Sequence, residues 1–152
     1  MPRELTGHRV NVCNEALKIT VVDEPGSGGA CHAYDITGFN TETNPSDGDA
    51  TTPDGYRASH SRTRIIFQNG PIKEAGVNGI TQEVLLAIIE DRLVGFQSGP
   101  YACAENAIAL ELVRKAQEIL QSRTVRRVEQ GVEGTHQPDQ PTTGHHHVRP
   151  VV

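Results

Sequence analysis

Residues 81–123 read TQEVLLAIIEDRLVGFQSGPYACAENAIALELVRKAQEILQSR, and their apolar side chains recur at helical spacing. Thr81 is a residue type that caps helices, and Glu83 puts a carboxylate near the exposed amides of the first turn. A helix is therefore predicted from there to about Ser98.

A short hinge follows this helix. Gly99 is expected to adopt the left-handed conformation that ends many helices, and Pro100 is expected to open the next one. That second helix should reach about Arg123. The stretch therefore predicts an antiparallel helical hairpin over about residues 80–124.

The first half of the chain has strand character. Alternating apolar and polar residues predict a strand at Val10–Asp23, with a break near Asn14 and Glu15. Two further strands are predicted at Ala30–Phe39 and at Thr63–Phe67. Turn-forming residues predict connections at 25–29 and 68–71, and a long hairpin loop or mobile insertion at 40–59. The expected fold class is α+β, with a small antiparallel sheet over about residues 8–75 followed by the helical hairpin.

Composition limits the classes of function. The 152 residues fit a single domain, expected at 1–136, and the change to Gln, Pro, Thr, Gly and His predicts a disordered tail at 137–152. A net charge of -5 argues against a general nucleic-acid coat. Three cysteines without metal spacing, no apolar leader and no long apolar run predict a soluble cytoplasmic protein with no membrane partner.

Two polar residues interrupt the apolar helix faces. Arg92 lies within the apolar arc of the first helix, where it either snorkels, pairs with an acid such as Glu90 or Glu105, or contacts a ligand. Asn106 lies on the packing face of the second helix, where its amide either ties helices together or meets a ligand. For Arg92 we favour snorkelling or an ion pair, and Asn106 is a candidate for ligand binding.

The helix faces carry more apolar residues than a two-helix hairpin over a small sheet plausibly covers, although the sheet could cover both faces. Small alanines on the second helix also allow another helix to approach closely. We therefore expect a homo-oligomer.

A cationic cluster follows, formed by Arg123, Arg126 and Arg127. Arginines at a helix end interact favourably with its dipole, which is the ordinary explanation. The neighbouring glycines, Gly131 and Gly134, allow another, because backbone amides beside guanidinium groups can bind phosphate.

Catalytic patterns are weak. Cys31 and His32 are adjacent rather than metal-spaced, the histidines at 145–147 lack supporting ligands, and Glu90 and Asp91 diverge on a helix. No catalytic residue, metal or cofactor is therefore predicted. A nucleotide-processing hydrolase and a structural oligomer without ligand remain the alternatives.

Five segments together resemble the phage anti-Thoeris sponge family, whose helical hairpin is shared with phage anti-CBASS sponges. They are Ile66–Glu74, Asn78–Thr81, Asp91–Ala102, Arg123–Thr124 and Gly131–Thr135. The resemblance spans roughly residues 10–136. It implies a protein that binds cyclic ADP-ribose signalling nucleotides and holds them uncleaved, as a dimer or a hexamer. Some members also bind cyclic di- or trinucleotides at a separate site.

The resemblance also implies roles for individual residues. Phe96 would stack on adenine, Asn106 would contact the ligand, and Arg123 would close the pocket, near Arg126, Arg127, Gly131 and Gly134. Asn106 and Arg123 lie about 25 Å apart on a continuous helix. If both contact one small ligand, the pocket is shared between protomers.

Overall fold

The computed structural model describes residues 1–47 and 59–139, which form two compact units. One unit comprises residues 1–70 and 75–81, and the other comprises 71–74 and the chain from 82 onward. The centre of the predicted long loop and most of the predicted tail, with its histidines, lie outside the described residues. The predicted single domain over 1–136 stays a prediction.

The first unit is built on a four-stranded antiparallel sheet in the order β1-β2-β3-β4. The strands are β1 (Arg3–Leu5), β2 (Lys18–Val21), β3 (Ala33–Thr37) and β4 (Thr63–Ile66). Val21, paired with Tyr34, is 1% exposed, and the Tyr34 ring meets Phe67 edge-on at 5.6 Å. Phe67 continues from β4 into a bridge with Ile80. The predicted sheet is confirmed, with one additional short edge strand, β1.

The prediction of a strand through Val10 and Val12 is wrong. Asn11 caps a short helix, α1 (Val12–Ala16), by accepting a 2.8 Å hydrogen bond from the amide of Asn14. The cap offers the backbone a local partner that competes with sheet pairing. Both valines are exposed, so burial does not oppose the helix.

The link between α1 and the sheet requires glycine at position 38. Gly38 has φ +91°, and a Cβ added there would lie 1.9 Å from the carbonyl oxygen of Ala16. Any side chain would therefore combine backbone strain with a direct clash.

The second unit contains the helical hairpin. A short helix, α2 (Ile72–Ala75), precedes α3 (Gln82–Gln97) and α4 (Ala104–Glu129). Glu90 of α3 accepts hydrogen bonds from Arg114 at 2.9 Å and from Gln117 at 2.5 Å, both on α4. The hydrogen bond from Arg114 lowers the pKa of Glu90. The predicted hairpin, and with it the α+β fold, is confirmed.

The predicted hinge is wrong in detail. Gly99 does not adopt a positive φ. At the end of α3 the hydroxyl of Ser98 donates to the carbonyl of Val94 at 2.8 Å. Pro100 lies inside a turn in which Ala102 donates to Gly99 at 3.2 Å. Helix α4 instead begins after Cys103, whose Sγ accepts from the amide of Asn106.

The predicted end of the second helix near Arg123 is also wrong, since α4 continues to Glu129. The left-handed cap is Gly131, at φ +71°, and the amide of Val132 then donates to the carbonyl of Arg127 at 3.0 Å. This is the hydrogen-bonding pattern of a glycine-terminated helix. Arg126 and Arg127 consequently belong to the last turn.

No helix within residues 1–47 and 59–139 combines the length and the apolar character needed to cross a membrane.

Candidate functional site

One cluster lies at the turn of the hairpin. Phe96 is in the last turn of α3 and is 39% exposed, with the guanidinium carbon of Arg92 5.5 Å from its ring centroid. This geometry is a cation–π contact between residues four apart on a helix. The exposed ring is therefore a stacking platform that already carries one guanidinium group. Sequence reasoning treated Arg92 separately from Phe96, although their spacing could have revealed the contact.

Asn106 lies at the same end of the hairpin, in the first turn of α4. It is partly buried, and its side-chain amide donates to the carbonyl of Tyr101 over a long 3.4 Å. The carboxamide of Gln97 accepts from the amide of Cys103 at 3.0 Å and closes the turn. The turn thus brings Phe96 and Asn106 to one end of the hairpin.

The second cluster lies at the far end of α4, around the carboxylate of Asp139. Its Oδ2 accepts from Arg123 Nε and from Arg126 Nη2, each at 3.1 Å, and its Oδ1 accepts from Arg127 Nη1 at 2.6 Å. The hydrogen bond from Arg127 lowers the pKa of Asp139, with further help from Arg123 and Arg126. We call the three arginines with Asp139 the arginine cluster.

Arg127 is the buried member of the arginine cluster, with 7% exposure. Besides Asp139, its guanidinium donates to the Glu133 carboxylate at 3.0 Å and to the carbonyl of Val132 at 2.9 Å. It also reaches the carbonyls of Thr135 and Gln137. In this arrangement Arg127 holds the segment after α4 against the helix end.

Gly131 and Gly134 allow the backbone of this segment to turn after α4. Gly131 and Gly134 both have positive φ, at +71° and +74°. The amide of Gly131 donates to the carbonyl of Val128, and the carbonyl of Gly134 accepts a hydrogen bond from the backbone amide of Lys73. The backbone around Gly131 therefore directs its amides toward helix carbonyls, and the predicted role of both glycines in ligand binding stays a prediction.

Arg123 and Arg126 differ from Arg127 in exposure. Their side chains are 53% and 38% exposed. The Nε of Arg126 is buried and has no hydrogen-bond partner within the described part of the chain. These two arginines are the members of the arginine cluster that a solute can reach.

Two arginines near the end of the first unit, Arg62 and Arg64, stabilise the sheet instead of forming part of either cluster. Arg62 and Arg64 both bind the Asp35 carboxylate, Arg64 through bonds of 2.6 and 2.8 Å. The hydrogen bond from Arg64 strongly lowers the pKa of Asp35. Arg57 lies outside the described residues.

Cys31 and His32, which were considered for metal binding, both have structural partners. Cys31 Sγ donates to the carbonyl of Asp23, and the amide of His32 donates to the Asp23 carboxylate at 2.8 Å. Among residues 1–47 and 59–139, no group of three or more His, Cys, Asp or Glu side chains is placed to hold a metal ion.

Residues 59–124 match the family model of the Acb2/Tad1 hairpin domain. This segment is similar to the Acb2/Tad1 hairpin domain. It contains β4, α2, α3 and most of α4, and with them Phe96, Asn106 and Arg123. The rest of the arginine cluster follows the matched segment.

A curated relative supports the same conclusion. The protein "Thoeris anti-defense 1" of Bacillus phage SBSphiJ7 is 44% identical over 73 residues, which are 48% of this chain. The matched region spans about half of that relative's length, 51%. The resemblance of this chain to the phage anti-Thoeris sponge family is confirmed.

Asp139 is the residue of the cluster that sequence reasoning missed. It lies just beyond the resemblance, in a polar segment without periodicity. Its opposite charge to the preceding arginines was the available signal, but spacing alone does not show which way the chain turns after Gly131.

Proposed function

We propose that this protein counters bacterial defence by binding cyclic ADP-ribose signalling nucleotides and holding them uncleaved in the host cytoplasm. The Acb2/Tad1 hairpin and the name of the phage relative support an anti-Thoeris role. In this proposal the protein sequesters the nucleotide and is not an enzyme.

The observation that carries the proposal is the exposed Phe96 ring beside Arg92 at the hairpin turn. An aromatic ring stacks on a nucleobase with about 1–3 kcal/mol per base. Asn106, at the same end, holds only a long 3.4 Å side-chain bond, which a ligand can replace with little loss. Base stacking and amide recognition are therefore available together.

The phosphates of the proposed ligand require positively charged side chains in addition to Phe96 and Asn106. Arg123 is exposed, but it lies about 25 Å along α4 from Asn106, and the helix between them is continuous. One hairpin cannot bring both residues to one small ligand. We propose that an antiparallel neighbour supplies Arg123, with Arg126 beside it, to the Phe96 and Asn106 of the first protomer.

Exposed apolar residues on both long helices support this association. A hairpin that remained monomeric would leave an unusual amount of apolar surface in water. These residues are Val84, Ile88, Ile89, Ile108, Leu112 and Ile119. The proposed assembly is a dimer or a hexamer, and a cyclic di- or trinucleotide at a separate site is a further proposal from the same family.

Ligand capture can be tested by titrating the protein with cyclic ADP-ribose in a calorimeter, heating the complex and analysing the released ligand by chromatography. Intact ligand is expected. An altered product would refute sequestration and favour the hydrolase.

The stacking role is tested by Phe96→Leu, which keeps apolar volume but removes the ring. We expect affinity to fall about 10- to 100-fold, because about 1–3 kcal/mol of stacking is lost. Tyr101→Leu is the matched control, since Tyr101 is an exposed aromatic in the adjacent turn. Equal binding by wild type and Phe96→Leu would refute this role and favour a ring that serves packing alone.

The shared pocket is tested by mixing two weakly binding variants, Phe96→Leu and Arg123→Gln. A mixed dimer regains one complete pocket if two protomers contribute to it. Native mass spectrometry should then show ligand on the mixed species, and the absence of rescue in a confirmed mixed dimer would refute the shared pocket.

A further inference from the structure

We propose that Asp139 is an internal competitor for phosphate, a carboxylate that occupies the arginine cluster until an anionic ligand displaces it. This inference concerns regulation of the proposed nucleotide site and rests on that proposed function. It uses only side chains within the described residues.

The geometry of the Asp139 carboxylate is that of a bound anion. Its two oxygens accept from three guanidinium groups, at 3.1, 3.1 and 2.6 Å. Charge-assisted hydrogen bonds of this kind are what arginines offer to phosphate. The carboxylate therefore already uses donors of Arg123 and Arg126 that the proposed ligand needs.

The carboxylate satisfies the cluster incompletely. A single oxygen, Oδ2, is shared by Arg123 and Arg126, while the buried Nε of Arg126 has no partner in the part of the chain that the structure describes. A phosphate group offers three acceptor oxygens. A pyrophosphate can therefore serve more of these donors than Asp139 does.

Displacement of Asp139 is compatible with keeping the helix end intact. Asp139 is 35% exposed, whereas Arg127 retains bonds to Glu133 and to the carbonyl of Val132. The segment up to Thr135 thus stays anchored when the carboxylate leaves. Release exposes Arg123 and Arg126 without unfolding the turn at Gly131.

The net charge of the arginine cluster predicts which substitution strengthens phosphate binding. The three arginines face two carboxylates, Glu133 and Asp139. Removing the charge of Asp139 raises the local net charge by one. Asp139→Asn should therefore bind phosphate compounds more tightly, while it keeps the size of the side chain.

The test uses inorganic pyrophosphate as the probe and the full chain uniformly labelled with a nitrogen isotope. The Nε–H signals of Arg123 and Arg126 report binding directly by nuclear magnetic resonance. We expect the dissociation constant for pyrophosphate to be about tenfold lower in Asp139→Asn, because three competing ion pairs, each modest in water, are removed together. In the wild type, pyrophosphate should also shift the backbone amide signal of Asp139.

Glu129→Gln is the matched control. It removes one negative charge from the same end of α4, and Glu129 makes no ion pair within residues 1–47 and 59–139. Its dissociation constant should stay within about twofold of the wild type, since a solvent-screened charge changes but no arginine of the cluster loses a partner. A similar gain in both variants would overturn direct competition and leave a general charge effect.

The remaining outcomes separate this inference from the proposed function. Equal or weaker pyrophosphate binding by Asp139→Asn, or an unmoved Asp139 signal at saturation in the wild type, would overturn the competition. If cyclic ADP-ribose still binds in that case, the proposed function stands. If pyrophosphate behaves as expected but neither protein binds cyclic ADP-ribose, the competition stands and the nucleotide proposal fails.

Discussion

Replacing Arg127 by methionine should destabilise the end of α4 while preserving most of the side-chain volume. The guanidinium donates to two carboxylates and to the carbonyls of Val132, Thr135 and Gln137. Methionine offers none of these donors. The carbonyl of Val132 then loses a charged donor, although it keeps the amide and the hydroxyl of Thr135, and the lost charge-assisted bond costs about 1.5–3 kcal/mol.

The carboxylates add less than this, because Glu133 and Asp139 are 38% and 35% exposed and water screens them. We therefore expect a total of about 2–3 kcal/mol for Arg127→Met. In a chain of this size each kcal/mol lowers the melting temperature by about 3 °C, so a decrease of about 6–9 °C is expected.

The assay is thermal unfolding at fixed protein concentration, with hydrogen exchange of residues 128–139 as a local readout. Arg114→Met is the control, since Arg114 pairs with Glu90 on the exposed side of the hairpin and its side chain is 53% exposed. It should lower the melting temperature by less than about 2 °C. Equal melting and exchange in Arg127→Met and the wild type would refute the anchoring role of Arg127.

Two further predictions concern the sheet. Gly38→Ala should prevent or severely weaken folding, because its Cβ would overlap the carbonyl oxygen of Ala16 at 1.9 Å, and urea unfolding measures the loss. Gly29→Ala is the control: Gly29 has φ +78°, but no atom lies within 4 Å of the added Cβ. This variant should lower the free energy of unfolding by only about 1 kcal/mol. Comparable losses in the two variants would contradict the steric reason. The Asp35 pairs contribute stability that is fully present above the usual pKa of 3.8 and is lost as pH falls toward the lowered folded-state pKa. Asp35→Asn should therefore show a shallower loss of stability below about pH 4 than the wild type, and parallel acid unfolding curves would argue against this linkage.

Prediction from the sequence was most successful where the signal is local and repeated. Apolar residues recur along 82–97 and 104–129 at helical spacing, and each turn of the helix repeats the same information. The strands at Ala33–Thr37 and Thr63–Ile66 carry β-branched and aromatic residues that also favour their secondary structure locally. By contrast, β1 is three residues long and lacks an apolar pattern, so its pairing with β2 supplies the signal that its own residues lack.

Errors arose where two local signals competed. Gly99 and Gly131 are both acceptable helix-ending residues, and only Gly131 adopts the left-handed conformation. At Gly99 the chain instead continues into a turn in which the amide of Ala102 donates to the Gly99 carbonyl. Asn11 similarly ended a strand pattern by capping a helix.

The residues Phe96, Asn106 and Arg123 could be named as candidates from the sequence because their types and spacing resemble a known family. The sequence also determined the helical hairpin that carries them, since helical periodicity is local. Tertiary structure alone decided that Arg127 is buried and that Asp139 returns to three arginines. Those contacts depend on the path of the chain after α4, and the attraction between opposite charges does not depend on their separation in sequence.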